Sequence, residues 1–247
     1  MSPPPDYSLT VLLRKLESIG ALSPEEQKAI ASLPATVQVL EPRQDIVREG
    51  DRPSRSFLIL NGWTCSYKII SRGRRQIFAF HVPGDTPDLQ SLHMPVLDHS
   101  HCTLTRTTLA FIPHESLREL IARFPRVAAL LWRTTLIDAG IFREWMLGLG
   151  RRTASEHLAH MICELYLKLQ AIGLASSYRC PFPVTQTDLG DALGLSNVHV
   201  SRTLTALRGK GLVSLQRGVL IIQDWPALVR FCEFDPAYLN LEPQGVA

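Results

Sequence analysis

The sequence predicts an α+β fold: an N-terminal antiparallel β-roll, one long helix, and a C-terminal winged helix-turn-helix. Three observations carry this. Turn signals recur at Gly50-Asp51, Asn61-Gly62, Arg72-Gly73 and Pro83-Gly84-Asp85, spaced 12, 11 and 11 residues apart between short apolar runs; that interval suits a small antiparallel roll or barrel. From Pro125, apolar residues recur at three- and four-residue spacing as far as Trp145, the period of a single long helix. Over residues 185–208 two short amphipathic segments flank a glycine, and two apolar runs follow around Gln216-Arg217-Gly218.

Residues 8–19 place Leu9, Leu12, Leu13 and Leu16 on one side of a first helix. Ser23-Pro24-Glu25-Glu26 starts a second, with a serine cap, proline in the first turn and two acids beside the helix dipole. Strands begin at Val37. Residues 57–60 and 76–80 read as core strands, and residues 104–112 as the strand that closes the roll. Residues 114–123 form a short helix before the long one. In the long helix Val127, Leu130, Leu131, Thr134, Ile137, Ile141 and Trp145 make a stripe that suits pairing with a second copy of the chain, or packing on the chain's own roll. Gly148 and Gly150 read as a hinge, and residues 153–171 as one further helix. The expected division is a roll over 1–124, a dimerisation helix and hinge over 125–148, and a winged helix-turn-helix over 149–247.

Within that last unit, Leu189, Ala192 and Leu193 share one helical face, Gly194 suits the sharp turn, and Ser196 caps a second helix buried through Val200, Leu204 and Leu207. Gly190 is small where the two helices cross. No acidic residue lies between Asp191 and Asp224, whereas Arg202, Arg208, Lys210 and Arg217 do. From Gly148 onward there are nine Lys and Arg against eight Asp and Glu, so the positive charge belongs to one element and not to the whole domain. A helix that enters the DNA major groove by its N-terminal residues has this layout, and the local charge suits phosphate neutralisation. The second strand pair is then the wing, with Arg217 at its tip.

The formal net charge of +3 over 247 residues is mild, and 45% hydrophobic with 20% charged residues describes a globular chain. No apolar run approaches the ~18–20 residues that cross a bilayer, and the opening Met1-Ser2-Pro3-Pro4-Pro5-Asp6 lacks a signal peptide's basic and apolar regions. A cytoplasmic protein without membrane partners is expected. Cys65, Cys102, Cys163, Cys180 and Cys232 are scattered and contain no Cys-x-x-Cys pair, so buried, reduced thiols are expected and a zinc ribbon is not.

In this order, the roll, long helix, glycines and winged helix-turn-helix resemble the Crp/Fnr superfamily of bacterial transcription regulators. The strongest matches are Phe57-Leu58-Ile59-Leu60-Asn61-Gly62-Trp63, Arg74-Arg75-Gln76-Ile77, Pro83-Gly84-Asp85 and residues 185–204 with the wing. The resemblance implies a cyclic-nucleotide-binding-like roll, and homodimers that bind inverted repeats in promoter DNA and contact RNA polymerase. It implies base reading by Asn197, Val198, Ser201 and Arg202, with Arg202 bidentate on a guanine. The family's usual glutamate is replaced by Val198, which can pack on a thymine methyl but cannot accept a hydrogen bond. Thr185, Thr187, Ser196, His199, Arg208 and Arg217 are expected at phosphates. The dimer helix is expected to pair through Val127, Leu131, Thr134, Ile137, Ile141 and Trp145.

For an effector pocket the corresponding residues are Gly84, Asp85, Asp88 and His99. No Lys or Arg occurs between Arg75 and Arg106, and a phosphate beside two aspartates without a cation is strongly disfavoured. Cyclic AMP is therefore not the expected effector, which is left as an unknown small molecule. The first cysteine is Cys65, so an N-terminal cysteine cluster for oxygen sensing is not expected. His99 and His101 share a face of an extended segment, yet satisfied histidines are preferred to a metal pair. No cofactor, metal or catalytic residue is expected. The competing readings are a cupin-like metal enzyme, which leaves the C-terminal domain unexplained, and a ligand-binding module that no longer binds DNA.

Overall fold

Glycine sets the four turns of the roll: Gly50, Gly62, Gly73 and Gly84 all have positive φ, between 71° and 91°. At Gly62 space also forbids a side chain, since a Cβ would lie 2.6–2.8 Å from Thr107 and the Arg106 carbonyl. The computed structural model describes residues 9–242; the expected tail and the first residue of the opening helix lie outside them.

The strands are β1 (Thr36–Leu40), β2 (Asp45–Val47), β3 (Arg55–Asn61), β4 (Thr64–Ile70), β5 (Arg74–His81), β6 (Ser100–Thr103) and β7 (Thr107–Pro113). They make a three-stranded sheet of order β1-β7-β3 and a four-stranded sheet of order β2-β6-β4-β5. In the first, Phe57 faces Phe111 and Ile59 faces Leu109 across antiparallel strands. These four side chains form a buried cluster against Leu40, Ile46 and Val47. The closing strand is shorter than residues 104–112, because Leu104 and Thr105 turn back to bond the Trp63 carbonyl. Helices α1 (Thr10–Glu17) and α2 (Pro24–Ala31) precede the strands. The Ser23 hydroxyl caps α2 as expected, and the Glu26 carboxylate also closes the cap by accepting from the Ser23 amide.

Asp85 and Asp88 do structural work in the roll. Asp85 accepts from the Val82 amide and pairs with Lys15 of α1 at 2.8 Å, while a Cβ on Gly84 would lie 3.0 Å from the Val11 carbonyl. Asp88 is fully buried and accepts from the Phe57 amide at 3.0 Å. Burial pushes its carboxyl up to about 8, against 3.8 ordinarily. Its contribution to stability is therefore fully present below about pH 4 and is lost as pH rises toward 8. Asp88→Asn, which cannot ionise, is expected to gain stability relative to the parent between pH 5 and pH 8 in urea melts. An unchanged difference would show that Asp88 is already ionised in the fold.

Helix α3 (His114–Arg123) leads into α4 (Pro125–Arg151), and α5 (Ala154–Ala171) follows. Among the described residues the chain divides into two compact units. One runs to Ser66 and resumes over Phe80–Leu136; the other comprises Tyr67–Ala79 and Ile137–Leu241. The division falls inside α4, not at its ends as the pattern suggested, because the helix packs on different neighbours along its length. Gly148 and Gly150 do not break the helix. Gly148 is instead a close-approach position, since a Cβ there would lie 2.4–2.8 Å from the His157 ring of α5. The break comes at Thr153, whose hydroxyl caps α5 in a reciprocal bond with Glu156.

The stripe expected to pair with a second copy is covered by the chain itself. Val127, Leu130, Leu131, Ile137, Ile141 and Trp145 are all buried, and Thr134 is half-buried with its hydroxyl on the Leu131 carbonyl. Trp145 shows the reason: its indole N–H donates to both Glu164 carboxylate oxygens, at 3.2 and 3.3 Å, inside the second unit. The most exposed apolar residues of α4 are Trp132, Leu136 and Met146, which are 69%, 58% and 69% exposed. No helix of the described residues is long and apolar enough to cross a membrane.

The C-terminal portion continues with β8 (Arg179–Pro181), α6 (Gln186–Leu193), α7 (Asn197–Gly209), β9 (Val213–Gln216), β10 (Val219–Ile222) and α8 (Trp225–Cys232). The wing is a three-stranded sheet of order β8-β10-β9, one strand more than the sequence suggested.

Candidate nucleic-acid interface

The turn between α6 and α7 is built by backbone constraints. Gly194 ends α6 in the left-handed region (φ 69°, ψ 30°), a conformation glycine adopts without a Cβ penalty. A Cβ on Gly190 would lie 2.7 Å from the Leu195 carbonyl, and the Leu195 amide donates to the Gly190 carbonyl at 3.0 Å. Ser196 caps α7, its hydroxyl accepting from the His199 amide at 3.3 Å. Val200 and Leu207 are buried as expected, but Leu204 is only half-buried. Thr203 takes the inward position, its hydroxyl donating to the His199 carbonyl at 2.9 Å. A three-residue step from Val200 reaches Thr203, and its polar head hid this from a search for apolar spacing.

Asn197, Val198, His199, Ser201 and Arg202 are all exposed on the first turns of α7, with Val198 62% exposed. An exposed valine among polar side chains at a helix N-terminus has no core to serve. The structure brings these five residues onto one segment, next to the positive end of the α7 dipole. Asn197 Nδ2 donates to Thr187 Oγ1 at 3.3 Å, joining α7 to α6. Thr185 caps α6: its hydroxyl donates to Asp188 Oδ2 at 2.6 Å and accepts from the Asp188 amide at 3.2 Å. The hydroxyls of Thr185 and Ser196, expected at phosphates, thus serve as caps. Arg208 is exposed at the end of α7. Arg217 sits at the wing tip with φ 49°, followed by Gly218 at 76°, the paired positive φ of a tight hairpin turn.

Sequence reasoning missed what holds α6. Asp188 is fully buried and Asp191 partly so. Both are met by Arg75 at the start of β5: Nη2 donates to Asp188 Oδ1 at 3.0 Å and Nε to Asp191 Oδ2 at 2.7 Å. Beside it, Gln76 Nε2 donates to the Ala192 carbonyl at 3.1 Å. The only signal was two acids three residues apart with no base nearby in sequence; their partner lies 113 and 116 positions away. Arg75→Ala leaves a buried carboxylate without its cation and is expected to destabilise the second unit by roughly 2–4 kcal/mol, read in urea melts. A loss below about 0.5 kcal/mol would place the pair among solvent-screened contacts.

All four proposed effector residues, Gly84, Asp85, Asp88 and His99, are buried in the roll. His99 bonds Asp98 at 2.7 Å and packs against His101 with the rings tilted by 56°, 4.6 Å between ring centroids. His101 shares a hydrogen bond with Ser66 at 3.0 Å, and burial, with the charges of His99 and His81, holds it well below the usual histidine range. An apolar cavity of about 430 Å³ lies elsewhere in the first unit, lined by Leu89, Leu92, His93, Ile121, Leu131 and Trp132 among others.

A β-roll, a long helix with an exposed apolar face, and a winged helix-turn-helix presenting an acid-free reading face define a DNA-binding transcription regulator. Comparison with known proteins agrees. The cyclic nucleotide-binding domain model matches residues 37–124 and the Crp-like helix-turn-helix domain model residues 156–231. The transcriptional activator protein FnrA of Stutzerimonas stutzeri is 25% identical over 205 residues, 83% of each chain. The nitrogen fixation regulation protein FixK of Rhizobium meliloti is 28% identical over 185 residues, 74% of this chain and 80% of that one. Among solved structures, FixK2 from Bradyrhizobium japonicum superimposes with a TM-score of 0.73 at 28% identity, covering 81% of this chain and 98% of that one. The chain thus carries the cyclic nucleotide-binding domain and the Crp-like helix-turn-helix domain of a Crp/Fnr-type transcription regulator.

Proposed function

We propose that the protein is a cytoplasmic homodimer that reads an inverted repeat in promoter DNA without cyclic AMP, and there contacts RNA polymerase. The observation that carries this is the exposed first two turns of α7, where Asn197, Val198, Ser201 and Arg202 project together. In the proposed complex Arg202 takes a guanine edge, Val198 a thymine methyl, and Asn197 and Ser201 neighbouring edges. Thr185, Thr187, Ser196 and His199 approach phosphates through the starts of α6 and α7, and Arg208 and Arg217 through their charge. Pairing runs through Trp132, Leu136, Ala139, Arg143 and Met146, whose alternating spacing of four and three is the seven-residue repeat of a helix pair.

The absence of cyclic AMP dependence rests on Asp85 and Asp88, which occupy the phosphate region as hydrogen-bonded carboxyls. Lys15, the basic group that reaches Asp85, is already paired with it. A different small effector remains compatible with the roll.

Selection of sites from random duplex DNA, with the purified protein and no added ligand, tests the reading. An enriched inverted repeat with half-sites about one helical turn apart supports it; a single unrepeated motif removes the dimer, and no enrichment removes ligand-free reading. Arg217→Ala is expected to weaken binding to all duplexes alike and to lower the slope of log K against log salt by about 1. A changed base preference would instead make the wing a reader of sequence.

A further inference from the structure

We propose that Cys65 and Cys102 form a reversible thiol–disulfide site within the roll, a two-electron redox centre separate from the DNA-reading surface. Cys65 lies on β4 and Cys102 on β6, neighbouring strands of the four-stranded sheet. Their sulfurs are 3.4 Å apart and both residues are buried. The next residue pair, Ser66 and His101, is joined by a hydrogen bond of 3.0 Å. Stepping one residue forward on β4 and one back on β6 therefore moves from one contact to the next. This is an antiparallel register with Cys65 directly opposite Cys102.

Directly opposed residues of this kind hold their Cβ atoms ~4.5–5.5 Å apart, whereas a relaxed disulfide brings them to about 3.8 Å. A bond between them forms with modest movement of the sulfurs but under strain, and strained disulfides are the readily reduced, regulatory ones. On its other side β6 pairs with β2 through a ladder whose register shifts between Asp45 and Val47, opposite Cys102 and His101. That irregular edge lets β6 adjust without disrupting a regular ladder. The remaining close pair, Cys163 and Cys232, is less suited: its sulfurs are 4.0 Å apart, and Cys232 Sγ is directed at the Leu228 carbonyl at 3.1 Å.

The chemistry is a two-electron oxidation by a peroxide. Cys102, 4% exposed against 0% for Cys65, is the sulfur the oxidant reaches. Its thiolate attacks a peroxide oxygen; an S–O bond forms, the O–O bond breaks, and with hydrogen peroxide the first water leaves. The Cys65 sulfur then attacks Cys102, the S–S bond forms, the S–O bond breaks, and the second water leaves with the remaining proton. Two thiols become one disulfide while hydrogen peroxide becomes two waters, and a dithiol reverses the step.

The test treats the reduced full-length protein with hydrogen peroxide under native conditions, then denatures it in an alkylating reagent and maps the peptides. The expected result is a fall from five thiols to three, a linked 65–102 peptide, unchanged far-ultraviolet circular dichroism, and recovery of five thiols with dithiothreitol. In Cys65→Ser the Cys102 sulfenic acid persists and is trapped by dimedone; in Cys102→Ser all four remaining thiols stay reduced at the same dose. A 163–232 link, a link between two chains, or reaction only after unfolding would each overturn the proposal.

Discussion

Arg202→Ala is expected to abolish sequence preference while leaving weak, salt-sensitive binding to any duplex. A bidentate arginine–guanine contact is worth ~1–3 kcal/mol of discrimination. On a two-fold site it is made twice, so the operator loses roughly 2–6 kcal/mol, between about 30-fold and about 10⁴-fold in affinity. The structure isolates this effect from folding. Arg202 is exposed on α7, while the packing of α7 runs through Val200, Thr203 and Leu207. Thermal stability should therefore stay within about 0.5 kcal/mol of the parent. Competition between operator and scrambled duplexes measures the preference. If the ratio of the two affinities is unchanged, Arg202 does not read a base, and Val198 and Asn197 become the readers to test next.

How legible the fold was depends on whether its cause is local. The four glycine turns, the caps at Ser23 and Ser196, and the left-handed Gly194 are local decisions, written in two to four adjacent residues. The reading surface was legible for the same reason, because its residues lie within one helical segment and one hairpin. Helix α8 was overlooked although its start is local too: Asp224 caps it by accepting from the Ala227 amide, with Pro226 in the first turn. Arg75 was quoted as part of a motif, but its work on Asp188 and Asp191 depends on chain closure over more than a hundred residues. No spacing rule reaches that far. Likewise Lys15 comes from α1 to Asp85, into a stretch of sequence that carries no base of its own.

The face of α4 was misassigned for a different physical reason. The helix is apolar on two sides, and both carry residues three and four apart. Periodicity identifies a stripe but not what covers it. The buried stripe is claimed by the chain itself, with Trp145 bonded to Glu164 and Glu164 also accepting from the Tyr238 hydroxyl at 2.8 Å. What is left over is the surface available to a partner.

Leu136→Glu combined with Met146→Glu is expected to convert the protein to a folded monomer. Both side chains are well exposed in the protomer, so glutamate there meets water in the monomer and an apolar, like-charged seam in the pair. Sedimentation should show half the parent mass with an unshifted circular-dichroism melt. Operator affinity should fall by about 10²–10⁴, because the second half-site no longer binds at the high effective concentration set by the first. Ile141→Glu is the contrast: Ile141 is 4% exposed, and a carboxylate placed there should unfold the second unit rather than separate subunits. If the double variant stays dimeric with its affinity intact, pairing does not run along this face of α4. If it is monomeric yet keeps parental operator affinity, the reading unit works singly, and the inverted repeat is no longer required by the protein's symmetry.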